Sequence, residues 1–459
     1  MTTHPFPAGF LWGTATSAFQ IEGAHDQAGR RPSIWDRFAD TPGKIEDGSD
    51  ARVACDHFHR WRDDLAILRD LGVGAYRFSV AWPRIKPHGR GATNDRGLDF
   101  YDRLVDALLA AHIAPFVTLY HWDLPQELED EGGWAARSTV DAFVAYADVV
   151  ARRLGDRVRH WVTHNEPWCI ATLGYEQGDH APGHKDPVRA LRAAHHVLLS
   201  HGRTVPVLRH HSPGSQVGIV LNLVPAEPAT ESAEDQDATR WFDGFFNRWY
   251  LDPLYRGGYP EDAIDDRVQQ GHLPDGELPF VMPGDLAAIR TPTDFLGVNY
   301  YSPAILRGEP ATDGGAPRRI QVVADAPRTD MGWEVRPSAL HTLLLRLHRE
   351  YQVPKIYITE NGCAYDDPIG ADGQIHDARR IAYLTGHLVA LSRAIALGAP
   401  VAGYFHWSLL DNFEWGHGYT KRFGLVHVDY ATQQRTPRAS ASVYRTIVTA
   451  NAVDSSTSP

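Results

Sequence analysis

Eight short apolar segments alternate with helix-like stretches along this chain of 459 residues. The segments are rich in β-branched and aromatic residues, which favour a pleated strand, and turn-forming or polar residues follow them. Strands that alternate with helices predict parallel pairing, and eight such units predict an α/β fold closed as a single (β/α)8 (TIM) barrel. The predicted strands are Gly9–Thr16, Ala75–Trp82, Ala114–His121, His160–Glu166, Gln216–Asn222, Phe295–Tyr301, Lys355–Glu360 and Val401–Trp407.

The stretches between these strands repeat apolar residues at helical spacing. Long loops at the carboxyl face enlarge such barrels without adding a domain, so we expect residues 1–450 to form one barrel domain and residues 451–459 to be a disordered tail. The loops after the first, fourth, fifth and sixth strands are long, and residues 225–241 and 308–330 are predicted to be mobile surface loops. The predicted helices are Trp61–Leu71, Tyr101–Ala111, Thr139–Leu154, Val188–Thr204 (before Pro206), Pro337–Tyr351 and Ala378–Leu397.

Composition argues against several classes of function. The 45 basic and 57 acidic residues give a formal net charge of −12, and no basic cluster indicates nucleic-acid binding. Cys55, Cys169 and Cys363 lack the spacing of a disulfide framework or a zinc site, and we interpret the last two as small wall residues. The first residues have no basic region and no apolar core of secretory length, so no secretory leader is expected, and no apolar run reaches the ~18 residues of a membrane helix. We therefore expect a cytoplasmic protein that contacts no membrane.

Two predicted strands end in a glutamate. Glu360 is followed by the turn pair Asn361 and Gly362, and Glu166 lies between Asn165 and a proline. A lone acid at a strand end is usually an ordinary loop residue. Two glutamates at the carboxyl ends of barrel strands indicate the acid and nucleophile pair of glycoside hydrolysis. In that pair the carboxyl groups lie about 5–5.5 Å apart when the configuration of the sugar is retained.

Longer motifs make this interpretation specific. The chain resembles the retaining β-glucosidases of glycoside hydrolase family 1, and the resemblance extends from about Phe10 to about Val443. The nucleophile motif of that family resembles residues 358–362 (ITENG), and its acid/base motif resembles residues 163–167 (THNEP). Further similar motifs lie at residues 10–24, 117–126, 297–301 and 407–415.

The resemblance implies a double displacement in which Glu360 attacks the anomeric carbon and Glu166 is the acid and then the base. Two carboxylates ~5.5 Å apart repel by roughly 3 kcal/mol at an effective dielectric of 20, or about two pKa units, so one of them holds its proton near neutral pH. We expect that one to be Glu166. Arg77 and Tyr301 are expected to keep Glu360 ionised.

The resemblance also implies the residues that bind substrate. The sugar site is expected to use Gln20, His121, Trp122, Asn165, Asn299, Trp407, Glu414, Trp415 and Phe423. The aglycone side is expected to use Trp168, His180 and Trp333. No metal is expected, because adjacent histidine pairs such as His195 and His196 point in different directions. No cofactor is expected, because the sequence shows no phosphate loop and no dinucleotide fingerprint.

Several alternatives remain open from the sequence. The expected substrates are small β-glucosides such as cellobiose and aryl or alkyl β-glucosides, with β-galactosidase, β-fucosidase or transglycosidase activity as alternatives in the same family. Family members that act on phosphorylated sugars carry Ser and Tyr where this chain has Glu414 and Phe423, so unphosphorylated substrates are expected. A barrel that binds carbohydrate without catalysis is disfavoured because both glutamates are present.

Overall fold

The computed structural model describes residues 2–274, 276–309, 318–322 and 325–454. Eight parallel strands form a closed barrel and follow each other in chain order, with the last strand pairing with the first. This confirms the (β/α)8 fold predicted from the sequence. The strands are β1 (Leu11–Ala15), β2 (Ala75–Ser79), β3 (Ala114–Tyr120), β4 (His160–Asn165), β5 (Gln216–Asn222), β6 (Phe295–Asn299), β7 (Ile356–Asn361) and β8 (Val401–Trp407).

Helices surround the barrel and bury one apolar face each. Helix Asp95–Ala110 is an example, because its buried residues Leu98, Tyr101, Val105 and Leu108 recur at intervals of three and four. The other long helices are His57–Leu71, Ser138–Leu154, Pro187–His211, Pro337–Tyr351, Ala378–Ala396 and Ala439–Ala450. Shorter helices are Ala18–Ile21, Ile34–Ala39, Trp82–Ile85, Gln126–Asp130, Ala233–Asp243, Trp249–Tyr255, Glu261–Gln269 and Asp285–Ile289, with π-helical turns at Cys169–Gln177 and Gly244–Arg248 and 3-10 turns at Gly133–Ala135 and Trp415–His417.

The helix after β4 continues through a proline, contrary to the prediction that it ends at about residue 204. It extends from Pro187 to His211 with Pro206 inside it. A proline removes one backbone hydrogen bond and disfavours a helix interior. Burial of Val205 and Leu208, both fully inaccessible, stabilises the helical course on either side of it.

The segments predicted to be mobile loops are partly ordered. Strand Ala226–Pro228 and helix Ala233–Asp243 occupy the first of them, where the Ser232 side chain caps the helix by accepting from the Asp235 amide at 3.2 Å. In the second, strand Arg318–Gln321 pairs antiparallel with strand Ala304–Glu309, which ends at the start of this segment. The prediction was wrong for these elements, whereas residues 310–317 and 323–324 lie outside the described residues.

The carboxyl terminus also departs from the prediction. Ala452–Asp454 forms an antiparallel pair with Thr3–Pro5, and Val453 is fully buried. The prediction that the chain is disordered from residue 451 was therefore wrong for residues 451–454, because backbone pairing with the amino terminus holds this segment. Residues 455–459 lie outside the described residues. A separate antiparallel pair joins Val426–Val428 to Arg435–Pro437. Among the helices of the described ranges, none has the length and apolarity needed to cross a membrane.

Aromatic side chains fill the lower barrel. Phe116, Phe295, Tyr357 and Phe405 are almost completely buried there, and the Phe116 ring lies 4.7 Å from that of Phe405 and 5.2 Å from that of Tyr357. Such layers make the interior of an eight-stranded barrel a packed core rather than a channel. The polar residues of β2, β4 and β7 therefore meet at the carboxyl end.

Candidate active site

Glu360 and Glu166 lie at the carboxyl end of the barrel. Glu360 belongs to β7, and Glu166 directly follows β4. Their exposed fractions are 3% and 6%, so both carboxyls are nearly removed from bulk water. Asn299, at the end of β6, donates to Glu166 Oε1 at 2.6 Å, and its strand pairs with β7 at Glu360.

Glu360 has a cationic partner and a phenolic partner. Arg77, on β2, donates from one guanidinium nitrogen to Glu360 Oε1 at 2.6 Å, and the Tyr301 hydroxyl donates to Oε2 at 2.7 Å. Burial raises the pKa of Glu360, and these donors oppose that effect because they stabilise the carboxylate. The Arg77 guanidinium is itself buried, so its attraction is only weakly screened by water.

Glu166 has no cation within hydrogen-bonding distance among the described residues. Burial, and then the charge of Glu360, raises the pKa of Glu166 to about 8. This is the direction that the sequence predicts. Of the two carboxyls, Glu360 alone contacts a guanidinium in the part of the chain that the structure describes, so its ionised form is the better stabilised of the two.

The Cys169 thiol contacts the second oxygen of Glu166. Its Sγ donates to Glu166 Oε2 at 3.2 Å and accepts from the Asn222 amide at 3.5 Å. Burial, and then the charge of Glu166, raises the pKa of the Cys169 thiol, so it remains an S–H donor. This contact is absent from the predictions made from the sequence, although a spacing of three residues places Cys169 one helical turn beyond Glu166.

Amide groups orient the two carboxyls relative to each other. Thr359 donates to Asn299 Oδ1 at 2.7 Å, which turns the amide nitrogen of Asn299 toward Glu166 and toward Asn165 Oδ1 at 3.0 Å. Arg77 donates to the same Asn165 oxygen at 2.6 Å. Asn165 Nδ2 in turn lies 3.1 Å from His121 Nε2. A continuous polar network therefore connects four strands, and Thr359 is a member that the sequence analysis did not identify.

A third carboxyl group lies in the same cavity. Burial, and then the charges of Glu360 and Glu166, raises the pKa of Glu414 to about 8. Gln20 donates to Glu414 Oε2 at 3.3 Å and is oriented by Ser17, whose hydroxyl donates to the Gln20 amide oxygen at 2.6 Å. This corner of the site therefore offers a carboxyl group to hydroxyl groups of a ligand.

The cavity above these groups has a volume of about 710 Å³. Its inner part is aromatic: the Trp122 and Trp415 rings lie 4.5 Å apart, and the His121 ring stacks against Trp407 at 5.9 Å. Apolar walls with a few converging polar groups are typical of small-molecule sites. The cavity is several times larger than one pyranose ring, so it has room for a sugar and its aglycone.

Backbone geometry at the cavity is unusual. Trp122, Glu166 and Trp415 have φ angles of 83°, 51° and 50°, in the left-handed region that costs a non-glycine residue roughly 1–2 kcal/mol. A Cβ atom at Gly362 would lie 1.8 Å from the Trp407 carbonyl oxygen, so only glycine allows the loop after β7 to pass β8. The glycine of the ITENG motif is thus explained by this close approach.

The structure brings together all of the site residues predicted from the sequence. Most of them line the cavity directly: Glu166, Glu360, Tyr301, His121, Trp122, Asn299, Trp407, Glu414, Trp415, Phe423, Trp168, His180 and Trp333. Arg77, Asn165 and Gln20 are buried beside these residues and contact them through hydrogen bonds. The described part of the chain contains no group of three or more His, Cys, Asp or Glu side chains that could hold a metal ion.

A (β/α)8 barrel with two carboxyl groups in unequal environments, below a cavity larger than a pyranose, is the arrangement of a two-carboxylate glycoside hydrolase. The sequence profile described as glycosyl hydrolase family 1 matches residues 2–453. "Beta-glucosidase A" of Acetivibrio thermocellus is 46% identical over 98% of this chain and 100% of that protein. "Thermostable beta-glucosidase B" of Thermobispora bispora is 49% identical over 97% of this chain and 91% of that protein.

Comparison with a solved structure points to the same family. The "Family 1 b-glucosidase from Thermotoga maritima" superposes with a TM-score of 0.94 at 45% identity, covering 99% of this chain and 100% of that one. The chain belongs to glycosyl hydrolase family 1.

Proposed function

We propose that this chain hydrolyses terminal β-D-glucosyl residues by double displacement, with Glu360 as the nucleophile and Glu166 as the acid/base residue. The observation that carries the proposal is the unequal setting of the two buried carboxyls. Arg77 and Tyr301 donate to Glu360, whereas the donors to Glu166 among the described residues are the neutral groups of Asn299 and Cys169. Family membership and the β-glucosidase names of its relatives make the chain a retaining β-glucosidase.

The first half of the reaction forms a glycosyl–enzyme ester. A carboxylate oxygen of Glu360 bonds to the anomeric carbon while the bond from that carbon to the aglycone oxygen breaks. Glu166 transfers its proton to the departing oxygen, so the aglycone leaves as a neutral alcohol or phenol. The substrates are short oligosaccharides such as cellobiose and aryl or alkyl β-glucosides.

The second half reverses the roles. Esterification removes the negative charge of Glu360, which is one of the two causes of the raised pKa of Glu166. The pKa of Glu166 therefore falls, and its carboxylate accepts a proton from the attacking water. Water displaces Glu360 at the anomeric carbon, which restores the free nucleophile and retains the configuration of the sugar.

Arg77 keeps the nucleophile ionised, and the Arg77–Asn165 contact couples it to the sugar site. His121 accepts one N–H of the Asn165 amide, which leaves the second N–H for the sugar 2-hydroxyl, a contact that strengthens in the transition state. Trp407 and Trp415 provide ring faces for the C–H surface of the pyranose.

Glu414 and Phe423 define the sugar corner as one for unphosphorylated substrates. Glu414 accepts from two sugar hydroxyls, and Gln20 and His121 provide further polar groups. A phosphate dianion at this corner would be repelled by the buried Glu360 carboxylate, and also by Glu414 whenever that carboxyl is ionised. Turnover of cellobiose 6-phosphate faster than that of cellobiose would contradict this assignment.

Hydrolysis of a panel of p-nitrophenyl β-glycosides, run beside Glu360→Gln, tests the proposal. Glucoside turnover that is lost in the variant is the expected result. A dominant galactoside or fucoside rate would keep the mechanism and change the sugar, and products longer than the substrate would indicate transglycosylation. Absence of turnover by the wild type would favour a carbohydrate-binding barrel. We further propose that residues 1–450 act as one catalytic domain.

A further inference from the structure

The end of strand β7, which carries Glu360, is irregular on both sides. While β6 advances by one residue, from Val298 to Asn299, the paired stretch of β7 advances by two, from Ile358 to Glu360. The pairing of β7 with β8 shows a second shift, between Ile358 and Asn361. An extra residue of this kind leaves backbone groups outside the regular ladder. Other bonds must therefore hold the strand end that presents the nucleophile.

The side chain of Asn361, the residue after Glu360, supplies part of this support. Its amide nitrogen donates to the Tyr300 carbonyl at 2.8 Å and to the Tyr383 hydroxyl at 3.1 Å. The Tyr404 hydroxyl donates to its amide oxygen at 3.0 Å. Because a carbonyl only accepts, the Tyr300 contact fixes which end of the amide carries the nitrogen. Asn361 is fully buried, so these bonds are shielded from water.

The Tyr383 hydroxyl connects this amide to the loop after β6. It accepts from Asn361, and it donates to the backbone carbonyl of Tyr301 at 3.1 Å. Tyr301 in turn donates from its own hydroxyl to Glu360 Oε2 at 2.7 Å. A single phenol therefore joins the strand end that carries Glu360 to the backbone of a residue that donates to Glu360.

Tyr383 is itself held firmly. It lies on the outer helix Ala378–Ala396, is 1% exposed, and its ring stacks on that of His387 at 3.9 Å. Burial lowers the pKa of His387 to about 4, and the neutral ring donates from Nδ1 to the Tyr383 carbonyl at 2.7 Å. Burial also raises the pKa of the Tyr383 hydroxyl well above its usual range, so this hydroxyl stays protonated while the enzyme works.

The charged and titratable groups that face Glu360 come from four parts of the barrel. They are Arg77 on β2, Glu166 after β4, Tyr301 after β6 and Glu414 after β8. Within the described ranges Tyr383 makes no hydrogen bond to Glu360 itself. An effect of its hydroxyl on Glu360 must therefore pass through one of the residues that it does contact.

We propose that Tyr383 is a positioning residue for the nucleophile: its hydroxyl holds the Tyr301 backbone so that the Tyr301 hydroxyl stays on Glu360. The inference rests on the proposed β-glucosidase function and adds a residue of an outer helix to the groups that support it. Alignment of the attacking oxygen matters most in the transition state, whereas the sugar is bound by other side chains. Loss of this hydroxyl should therefore affect kcat more than KM.

Tyr383→Phe removes the hydroxyl and keeps the ring on His387. The acidic limb of kcat/KM for p-nitrophenyl β-D-glucoside should move about 0.5–1 unit to higher pH, because a displaced Tyr301 hydroxyl stabilises the Glu360 carboxylate less. We expect kcat to fall about tenfold and KM to change less than about twofold. In a Tyr301→Phe background the same substitution should move the limb by less than about 0.3 unit, since the hydroxyl through which Tyr383 acts is already absent.

Tyr444→Phe is the matched control, because it also removes a fully buried hydroxyl that donates to a backbone carbonyl, that of Gly13 on β1 at 2.6 Å. It should lower the thermal unfolding temperature about as much as Tyr383→Phe does and leave the acidic limb in place. If the wild type is active, an unmoved limb in Tyr383→Phe, or an equal shift in the Tyr301→Phe background, would overturn the inference alone. If the wild type cleaves no β-glucoside, the proposed function fails, and the inference fails with it.

Discussion

Replacing Tyr301 with Phe removes one hydroxyl from Glu360 and leaves the rest of its surroundings in place. The hydroxyl donates to Glu360 Oε2 at 2.7 Å, and the ring packs against Trp333 at 5.1 Å and Phe423 at 6.0 Å, contacts that phenylalanine preserves. A hydrogen bond to a charged group contributes about 1.5–3 kcal/mol. At about 1.36 kcal/mol per pKa unit, its loss should raise the pKa of Glu360 by roughly one to two units.

The pH dependence of kcat/KM on p-nitrophenyl β-D-glucoside measures this shift. Glu360 must be ionised to attack, so its pKa sets the acidic limb of the profile, and raising that pKa moves the limb to higher pH. Tyr300→Phe is the matched control: the neighbouring Tyr300 is fully buried, but its hydroxyl donates to the Arg336 carbonyl at 2.7 Å. It should lower stability and leave the limb in place. An unmoved acidic limb in Tyr301→Phe would refute the reasoning.

Three further predictions follow from other contacts. Cys169→Ser should lower the pKa of Glu166, because a hydroxyl is a stronger hydrogen-bond donor than a thiol, and should move the alkaline limb of the kcat/KM profile to lower pH. Cys169→Val, which has no donor, should move this limb to higher pH. Alkaline limbs at the same pH in both variants would contradict the prediction. Glu414→Gln should reduce kcat/KM for p-nitrophenyl β-D-glucoside about 10–100-fold, chiefly through KM, because the amide offers one accepting oxygen where the carboxyl group offers two. An unchanged KM would exclude Glu414 from the sugar site. Asp411→Asn should cost about 3–5 kcal/mol in chemical unfolding, since buried Arg438 donates to both Asp411 oxygens, at 3.0 and 2.8 Å. The stability that the Asp411–Arg438 pair gives the wild type should be lost as pH falls through the lowered pKa of Asp411. A loss of stability restricted to alkaline pH would contradict this prediction.

The barrel was predictable because each strand carries its own signal. β5 and β8 have the predicted bounds, Gln216–Asn222 and Val401–Trp407, since both are apolar runs flanked by turn or polar residues. Strands buried on both faces show as continuous apolar segments rather than as alternation. The site was predictable for the same reason, because a glutamate at the end of such a strand must face the carboxyl end of the barrel.

The missed features depend on contacts distant in sequence. Helix Ala233–Asp243 is rich in charged residues and small side chains, and much of its support is a strand at Ala304–Glu309 that no local pattern connects to it. The orientation of the Asn299 amide depends on Thr359, 60 residues away. Pro206 signals a helix end, and only the packing around it explains why the helix continues.

The identity of the covalently modified residue tests the central claim most directly. A 2-deoxy-2-fluoro-β-D-glucoside with an activated leaving group should trap the glycosyl–enzyme, because the fluorine slows hydrolysis of the ester more than its formation. Peptide mapping by mass spectrometry should then locate the fluoroglucosyl group on Glu360, and the trapped enzyme should be inactive. A label on Glu166 or Glu414, or unlabelled protein that still cleaves β-glucosides, would contradict the assignment of Glu360 as nucleophile.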